Sequence, residues 1–335
     1  MSGGIDSSVA AALLLEKGCH CVGVTLKLCT GGGADDARLV AEELGIPHFT
    51  LDFTETFREK VINPFVESYE QGLTPNPCVD CNRYVKFGRL FSELKQFDCP
   101  VLATGHYAQV EKSGSRWLLK KAADPKKDQS YVLFCLNQET LSGVYFPLGG
   151  LTKNEVREIA MSRNLVNAKK EESQDICFVP DGDYGNFIES YTGKRYPEGD
   201  ILNIEGKVIG IHRGIIRYTL GQRRGLGVAL NEPIYVNAKD IKYNTVTLGP
   251  ESSLYSKTLK ADRINLVACE NLEKPMKVMV KTRYLQTERP AWAVQTGADE
   301  IRLDFDEAQR ALTPGQAAVF YDGDIVVGGG IIKTA

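Results

Sequence analysis

Ser2-Gly3-Gly4-Ile5-Asp6-Ser7-Ser8 leads directly into the apolar run Val9 to Leu15, and the reading of that junction decides the fold. Backbone N–H groups at a helix N-terminus lack intrahelical partners and carry positive partial charge, so an anion settles there. Gly3 and Gly4 let the backbone approach such a ligand without an intervening Cβ. Ser2, Ser7 and Ser8 add hydroxyl donors, and Asp6 suits a helix cap or a metal ion. The simpler reading is an ordinary helix start capped by Ser or Asp. Two glycines, an acid and three serines within seven residues weigh against it. A phosphate loop of this kind should follow a buried strand, yet only Met1 precedes Ser2. Either a first strand precedes the given sequence or the sheet lacks a central member; the former is expected.

Working outward, periodicity predicts a helix over 7–17 ended by Gly18 and a strand over 19–28. A second helix over 34–44 and a short strand over 48–53 follow. Helical patterns at 54–71 and 83–97 precede a buried strand, Val101 to Thr104. This alternation predicts an α/β domain, a doubly wound parallel sheet with ligands at the carboxyl ends of its strands. Thr152-Lys153-Asn154-Glu155 has capping-box spacing and starts a further helix through Met161. After about residue 180 short alternating runs rich in Gly and Tyr take over: 200–218, 233–249, 262–269, 276–284, 291–296, 300–305, 316–321 and 324–332. These predict a small β-rich central domain followed by a C-terminal β-barrel. The expected domains are 1–180, 181–251 and 252–335.

The 335 residues are 43% hydrophobic and 25% charged, an ordinary globular balance with room for two or three cores. No apolar run approaches membrane-spanning length and no signal peptide is visible, so a cytoplasmic location without membrane partners is expected. There the nine cysteines should be mostly reduced. A net charge of -3 does not announce a nucleic-acid binder, but its distribution is uneven. Lys207 to Gly227 carries Lys207, Arg213, Arg217, Arg223 and Arg224 with no acid, a stripe able to contact phosphates.

Thr74-Pro75-Asn76-Pro77-Cys78-Val79-Asp80-Cys81-Asn82 is the second informative stretch. Two prolines fix an extended turn, and Cys81 stands just before the helical pattern at Arg83, where a helix N-terminus would lower its thiol pKa. Cys177, in Ser173-Gln174-Asp175-Ile176-Cys177-Phe178, is a further candidate. Cys19, Cys21, Cys99, Cys135 and Cys269 lie in apolar patterns and are expected in the core; Cys29 is ambiguous. A zinc knuckle would need a second CxxC or Cys/His pair, which is missing. Incidental thiols and a redox or sulfur-handling pair both remain open on the residues alone.

The Ser2–Ser8 segment resembles the SGGxDSS loop of the ATP pyrophosphatase (PP-loop) superfamily, whose members cleave ATP between the α- and β-phosphates. The Walker pattern of γ-phosphate chemistry is absent from the chain. Over almost its entire length the sequence is also similar to the tRNA-specific 2-thiouridylase family. The markers are Ser2–Ser8, Asn76-Pro77 with Cys81-Asn82, Ala103-Thr104-Gly105-His106-Tyr107 and Lys127-Asp128-Gln129-Ser130-Tyr131. Cys177-Phe178, the run Tyr218 to Gly227, Arg283-Tyr284, Pro314-Gly315-Gln316 and Gly328-Gly329-Gly330 continue the order.

That resemblance implies an adenine nucleotide α-hydrolase-like first domain and ATP, with Mg2+, as co-substrate. It implies adenylation of the C2 oxygen of a wobble uridine in the tRNA anticodon loop, for lysine, glutamate and glutamine tRNAs. A persulfide on Cys177 would deliver sulfur, with Cys81 as the nucleophile that ends disulfide-bonded to it. A cysteine desulfurase or sulfur-relay protein would be the donor. By the same resemblance Ser2, Gly3, Gly4, Ile5, Asp6, Ser7, Leu26 and Gly105 hold ATP. Asn76, Pro77 and Cys78 meet the target base; His106, Lys127, Asp128, Gln129, Arg283, Tyr284 and Gln316 lie along the tRNA. Arg223 and Arg224, adjacent on a Gly-rich loop, suit phosphate contact.

Each role has a plainer counterpart: a satisfied loop imidazole at His106, a solvated turn at Lys127–Gln129, a surface cross-strand pair at Arg283-Tyr284. Two departures from the family pattern stand out. Some members carry aspartate where this chain has Cys78, which opens an alternative in which Cys78, Cys81 and Cys177 ligate an iron–sulfur cluster. The segment between Leu28 and Ala34 is shorter than in relatives. Outside this reading stand another AMP-forming enzyme acting on a small molecule and an RNA-binding protein that has lost ATP binding.

Overall fold

The computed structural model describes residues 1–29, 34–170, 176–228 and 232–334. The shortened segment after Leu28 thus lies largely outside the described residues, as do Ser173, Gln174 and Asp175.

Helix α1 (Ile5–Glu16) follows the glycine pair and buries Ile5, Val9 and Ala12. Strand β1 (Gly23–Lys27) pairs in parallel with β2 (His48–Asp52) across helix α2 (Ala34–Glu43). Then come β3 (Leu102–Ala103), the hairpin β4 (Gln109–Ser113) and β5 (Arg116–Lys120), and β6 (Val144–Tyr145), which pairs in parallel with β3. The parallel strands expected from the alternation are present as two pairs rather than one continuous sheet. Met1 lies along β1: its amine donates to Val24 O, and its carbonyl accepts from Thr25 Oγ1 at 2.8 Å.

Two helical stretches carry π-helical turns, a winding in which residues five apart are hydrogen-bonded. The first, 54–70, holds one at Arg58–Ile62. The second begins at Pro77, four residues before Cys81 and six before the expected start near Arg83, and its π segment is Cys81–Arg89. Its early start has two causes. Pro77 presets φ for the first turn, and the Asn76 side chain accepts the Cys78 N–H at 3.1 Å. The expected capping box is complete, with Thr152 and Glu155 bonding each other's backbone ahead of the helix Lys153–Ser162. That helix packs on α1 through Ile5, Val9, Val156 and Ala160.

The helix Tyr184–Thr192, which periodicity missed, opens the central region. Its four-stranded sheet runs β8-β7-β10-β9, from β7 (Gly199–Leu202), β8 (Val208–His212), β9 (Tyr235–Asp240) and β10 (Thr245–Gly249). The last six strands are β11 (Tyr255–Leu266), β12 (Met276–Lys281), β13 (Arg289–Gly297), β14 (Glu300–Arg310), β15 (Ala317–Asp322) and β16 (Ile325–Ile332). Pairing of β11 with β16 closes them into a barrel around Leu259, Val280, Ile301 and Phe320. The hairpin β4–β5, also unforeseen, joins the barrel where Lys120 pairs with Ile325. One apolar core, including Phe65, Phe134, Phe178, Ile216, Val246 and Val319, runs through all three regions. Among the described residues no helix is long and apolar enough to cross a membrane.

Candidate active site

The glycine loop is held from several sides. Ser7 Oγ accepts from Ser2 N at 3.1 Å and lies 3.2 Å from Ser2 Oγ, while the Ser7 and Ser8 hydroxyls donate to Gly4 O at 3.0 and 3.1 Å. Gly3 has φ +70°, a left-handed conformation that glycine adopts without strain. Asn167 donates to Gly3 O at 3.0 Å and to Ser8 Oγ at 2.9 Å. Gly105, just past β3, passes so close that a Cβ there would lie 2.7 Å from the Asp6 carbonyl carbon. The N-cap of α1 is Gly4 and no side chain caps it. The first turn of α1 thus lacks the Ser or Asp cap of the simpler reading, and its N–H groups face a loop shaped for an anion.

Asp6 does not cap the helix. Its Oδ1 accepts from the buried Lys153 ammonium at 2.7 Å and from Tyr107 OH at 2.8 Å. An ammonium already neutralises the carboxylate, and no step through Mg2+ is derived from it. Leu26, on β1, is half-buried against the main core.

The second centre is made of thiols. Cys78 is exposed in the first turn of its helix, Cys81 is buried one turn on, and Cys177 is exposed on a distant segment. Phe178 fixes that segment by packing edge-on to Phe57 and Phe65, with ring centroids 5.7 and 5.1 Å apart. Although Cys177 keeps contact with solvent, protein crowds its sulfur. Burial pushes its thiol up to about 12, with further repulsion from Cys81, Cys29 and Cys78. Burial also raises Cys78 and Cys81, and Lys86 opposes it in both. The lowered pKa expected for Cys81 is therefore corrected: the helix starts at Pro77, so Cys81 sits inside it, away from the unpaired N–H groups. Of the five cysteines expected in the core only Cys135 is buried, while Cys19 is exposed and Cys21, Cys99 and Cys269 are half-buried, all near element ends.

The three site thiols are close enough to act on one another, with Cys81 and Cys78 both raising Cys177. Among the described residues no group of three or more Cys, His, Asp or Glu could hold a metal ion. The iron–sulfur alternative lacks its ligand set, and no chemistry is derived through it.

The residues expected along the tRNA fall into two groups. Arg223 and Arg224 are exposed on a loop bent at Gly221, Gly225 and Gly227. Arg217, from the same stripe, is spent internally on Glu189 at 2.9 Å and Asp183 at 3.4 Å. The others are woven into the protein. His106 is buried between Phe87 and Phe146, bonded to Thr104 Oγ1 at 2.8 Å, and burial with Lys86 holds it well below the usual imidazole range. Buried Asp128 accepts from Ala122 N and Ser130 N, and Gln129 Oε1 accepts from Tyr107 N at 2.9 Å. Lys127 is half-buried beside them. Arg283 donates to Thr313 Oγ1 at 2.9 Å, Gln316 donates to Thr74 O at 2.7 Å, and Tyr284 is half-buried with Cys78 and Asp128 among the groups acting on it. Asn76 and Pro77 form the cap and first turn below Cys78.

Sequence reasoning missed Lys86, Lys153 and Asn167. Lys86 stands five residues after Cys81, about one turn on in π winding. Its charge lowers the pKa of Cys78, Cys81, Cys177 and His106 alike. The signal that could have found it is Cys-x4-Lys spacing, which reads as one face only once the π segment is known.

Comparison with known proteins covers the whole chain. A family model described as tRNA methyl transferase HUP domain matches residues 1–181. Models described as tRNA methyl transferase PRC-barrel domain and aminomethyltransferase beta-barrel domain match 185–250 and 256–332. A protein of Clostridioides difficile (strain 630) named tRNA-specific 2-thiouridylase MnmA is 44% identical over 348 residues, covering 99% of this chain and 96% of the relative. One of the same name from Acetivibrio thermocellus is 46% identical over 350 residues, covering 99% and 98%. With relatives of that identity aligned from end to end, and with the glycine loop and the three thiols in one fold, the chain belongs to the tRNA-specific 2-thiouridylase family.

Proposed function

We propose that this protein uses ATP to replace the C2 oxygen of a tRNA wobble uridine by sulfur, and that the observation carrying this reading is the meeting of Cys177 with Cys78 and Cys81 from segments almost a hundred residues apart. A uridine carbonyl is a poor electrophile, so activation precedes sulfur attack. The C2 oxygen attacks the α-phosphorus of ATP held at residues 2–7, Leu26 and Gly105, and pyrophosphate leaves. The terminal sulfur of a Cys177 persulfide attacks the adenylated C2, and AMP leaves with the oxygen. Cys81 thiolate then attacks Cys177 Sγ, the S–S bond to the new 2-thiouridine breaks, and a Cys81–Cys177 disulfide remains. A dithiol reductant returns both thiols, and a desulfurase or relay protein reloads the persulfide.

Lys86 supports both halves, because an ammonium beside the thiols favours the anionic sulfur that each attack requires. The exposed Arg223 and Arg224 are assigned to tRNA phosphates, and the 1–180, 181–251 and 252–335 division to ATP chemistry, tRNA contact and barrel. Although the matched models are described in terms of methyl transfer, the relatives aligned over 99% of the chain are named for 2-thiolation, and the paired thiols suit that reaction. The test uses an unmodified glutamate tRNA transcript, ATP, magnesium, a cysteine desulfurase with cysteine as persulfide donor and a dithiol reductant, with the product run on a mercury-containing gel. A retarded band that requires ATP and Cys81 is expected. AMP release without a band would sink the sulfur step, and neither product would sink the whole reading.

A further inference from the structure

Residues 73–76 lead into the cysteine helix, and a turn of the barrel grips Thr74 and Pro75. Thr74 N donates to Pro314 O at 2.9 Å, and Gln316 Nε2 donates to Thr74 O at 2.7 Å and Pro75 O at 3.4 Å. Between them Gly315 has φ +91°, and a Cβ there would stand 2.9 Å from Thr74 N, a space only glycine leaves open. The turn is itself fixed. Gly315 N donates to Ile332 O, and Ile332 N donates to Gln316 O, at 2.9 and 2.8 Å, while Arg283 holds Ala311 O and Thr313 Oγ1. One residue beyond the gripped segment, Asn76 caps the helix that carries Cys78 and Cys81.

We propose that Gln316 and Gly315 are positioning residues: the barrel turn 314–316 sets the place of the Asn76 cap and hence of the Cys78–Cys81 turn. The donor atom of Gln316 is spent on the protein's own carbonyls, so its effect on the reaction passes through the loop it holds. Thr74 N–H and the two carbonyls gain fixed partners, and the barrel becomes a wall of the active site.

The assay substitutes Gln316→Glu, of the same length without the donor, and Gln316→Met as a neutral control, in the full chain. Hydrogen exchange of the free protein reads the loop directly: peptides covering 74–82 should exchange about tenfold faster, while barrel strands β13 and β14 keep their protection. In the thiolation assay kcat should fall about tenfold with the tRNA KM within about twofold. This second arm rests on the thiolation reading, whereas the exchange arm stands without it. Unchanged exchange at 74–82, or a raised KM at unchanged kcat, would overturn the proposal and leave Gln316 a tRNA contact. If Gln316→Glu loosens the barrel as well, Gln316→Met decides by the same two criteria.

Discussion

On the proposed function, the glycine loop and the cysteine helix serve one substrate in opposite states of readiness. Around Ser2–Ser8 every support is already engaged: Asn167 on Gly3 and Ser8, Lys153 and Tyr107 on Asp6, Gly105 against the backbone. What it leaves open is the uncapped start of α1, the proposed place of the phosphate. The thiols are the reverse. Burial raises Cys78, Cys81 and Cys177 above the usual thiol value, and Lys86 only partly offsets it. The contrast teaches that the two halves of one reaction are prepared differently, the phosphate end by preorganisation and the sulfur end by restraint. A thiolate kept scarce until substrate arrives is less exposed to oxidation and stray alkylation.

The largest effect should come from removing a thiol. Cys177→Ser and Cys81→Ser should each abolish thiolation, while Cys177→Ser still releases AMP from ATP in the presence of tRNA; loss of both activities would show that the halves are not separable. Gly105→Val attacks the other half. Its side chain would press on Asp6 and Ser7, and AMP release should fall by about a hundredfold or more, with alkylation of Cys78 unchanged.

A smaller effect tests restraint itself. Thiolate is the reactive form and the Cys177 thiol lies near 12, so its labelling by iodoacetamide should climb about tenfold per pH unit from 7 to 10 without levelling. Lys86→Met removes a cation that opposes this and should slow labelling of Cys81 and Cys177 several-fold at each pH, whereas Lys86→Arg should not. A plateau near pH 8 would erase the contrast between the two centres. Smallest is Arg223→Ala, which should weaken tRNA binding a few-fold and reduce its salt slope by about 0.7–0.9, leaving ATP-driven steps alone.

Much of this molecule was legible in its sequence, for reasons that also mark where reading stopped. A glycine pair before an apolar run, a local capping box and alternating strands announce themselves, as at α1, the Thr152 box and the barrel. The hairpin β4–β5 did not, because its place depends on a partner, β16, two hundred residues away. The cysteines were found by type and company, but their pKa shifts follow burial, and burial of Cys81 follows from a helix that begins at Pro77 rather than near Arg83. Lys86 was hidden by a change of helical pitch. His106, Asp128 and Gln129 were picked by likeness to a family, and the structure shows them bonded inward, a distinction no spacing carries.

The pairing of Lys120 with Ile325 makes the three matched segments poor candidates for dissection. Cutting the chain before the barrel would strip β5 of its neighbour and leave an open strand edge, flanked by apolar Leu118 and Leu119, ready to recruit another chain. It would also expose the shared core at Phe134 and Val319. A fragment ending near residue 250 should therefore be expressed with difficulty and precipitate. Lineages that shed or exchange the barrel would have to rebuild that hairpin as well, which ties the inheritance of the last domain to a few residues in the first.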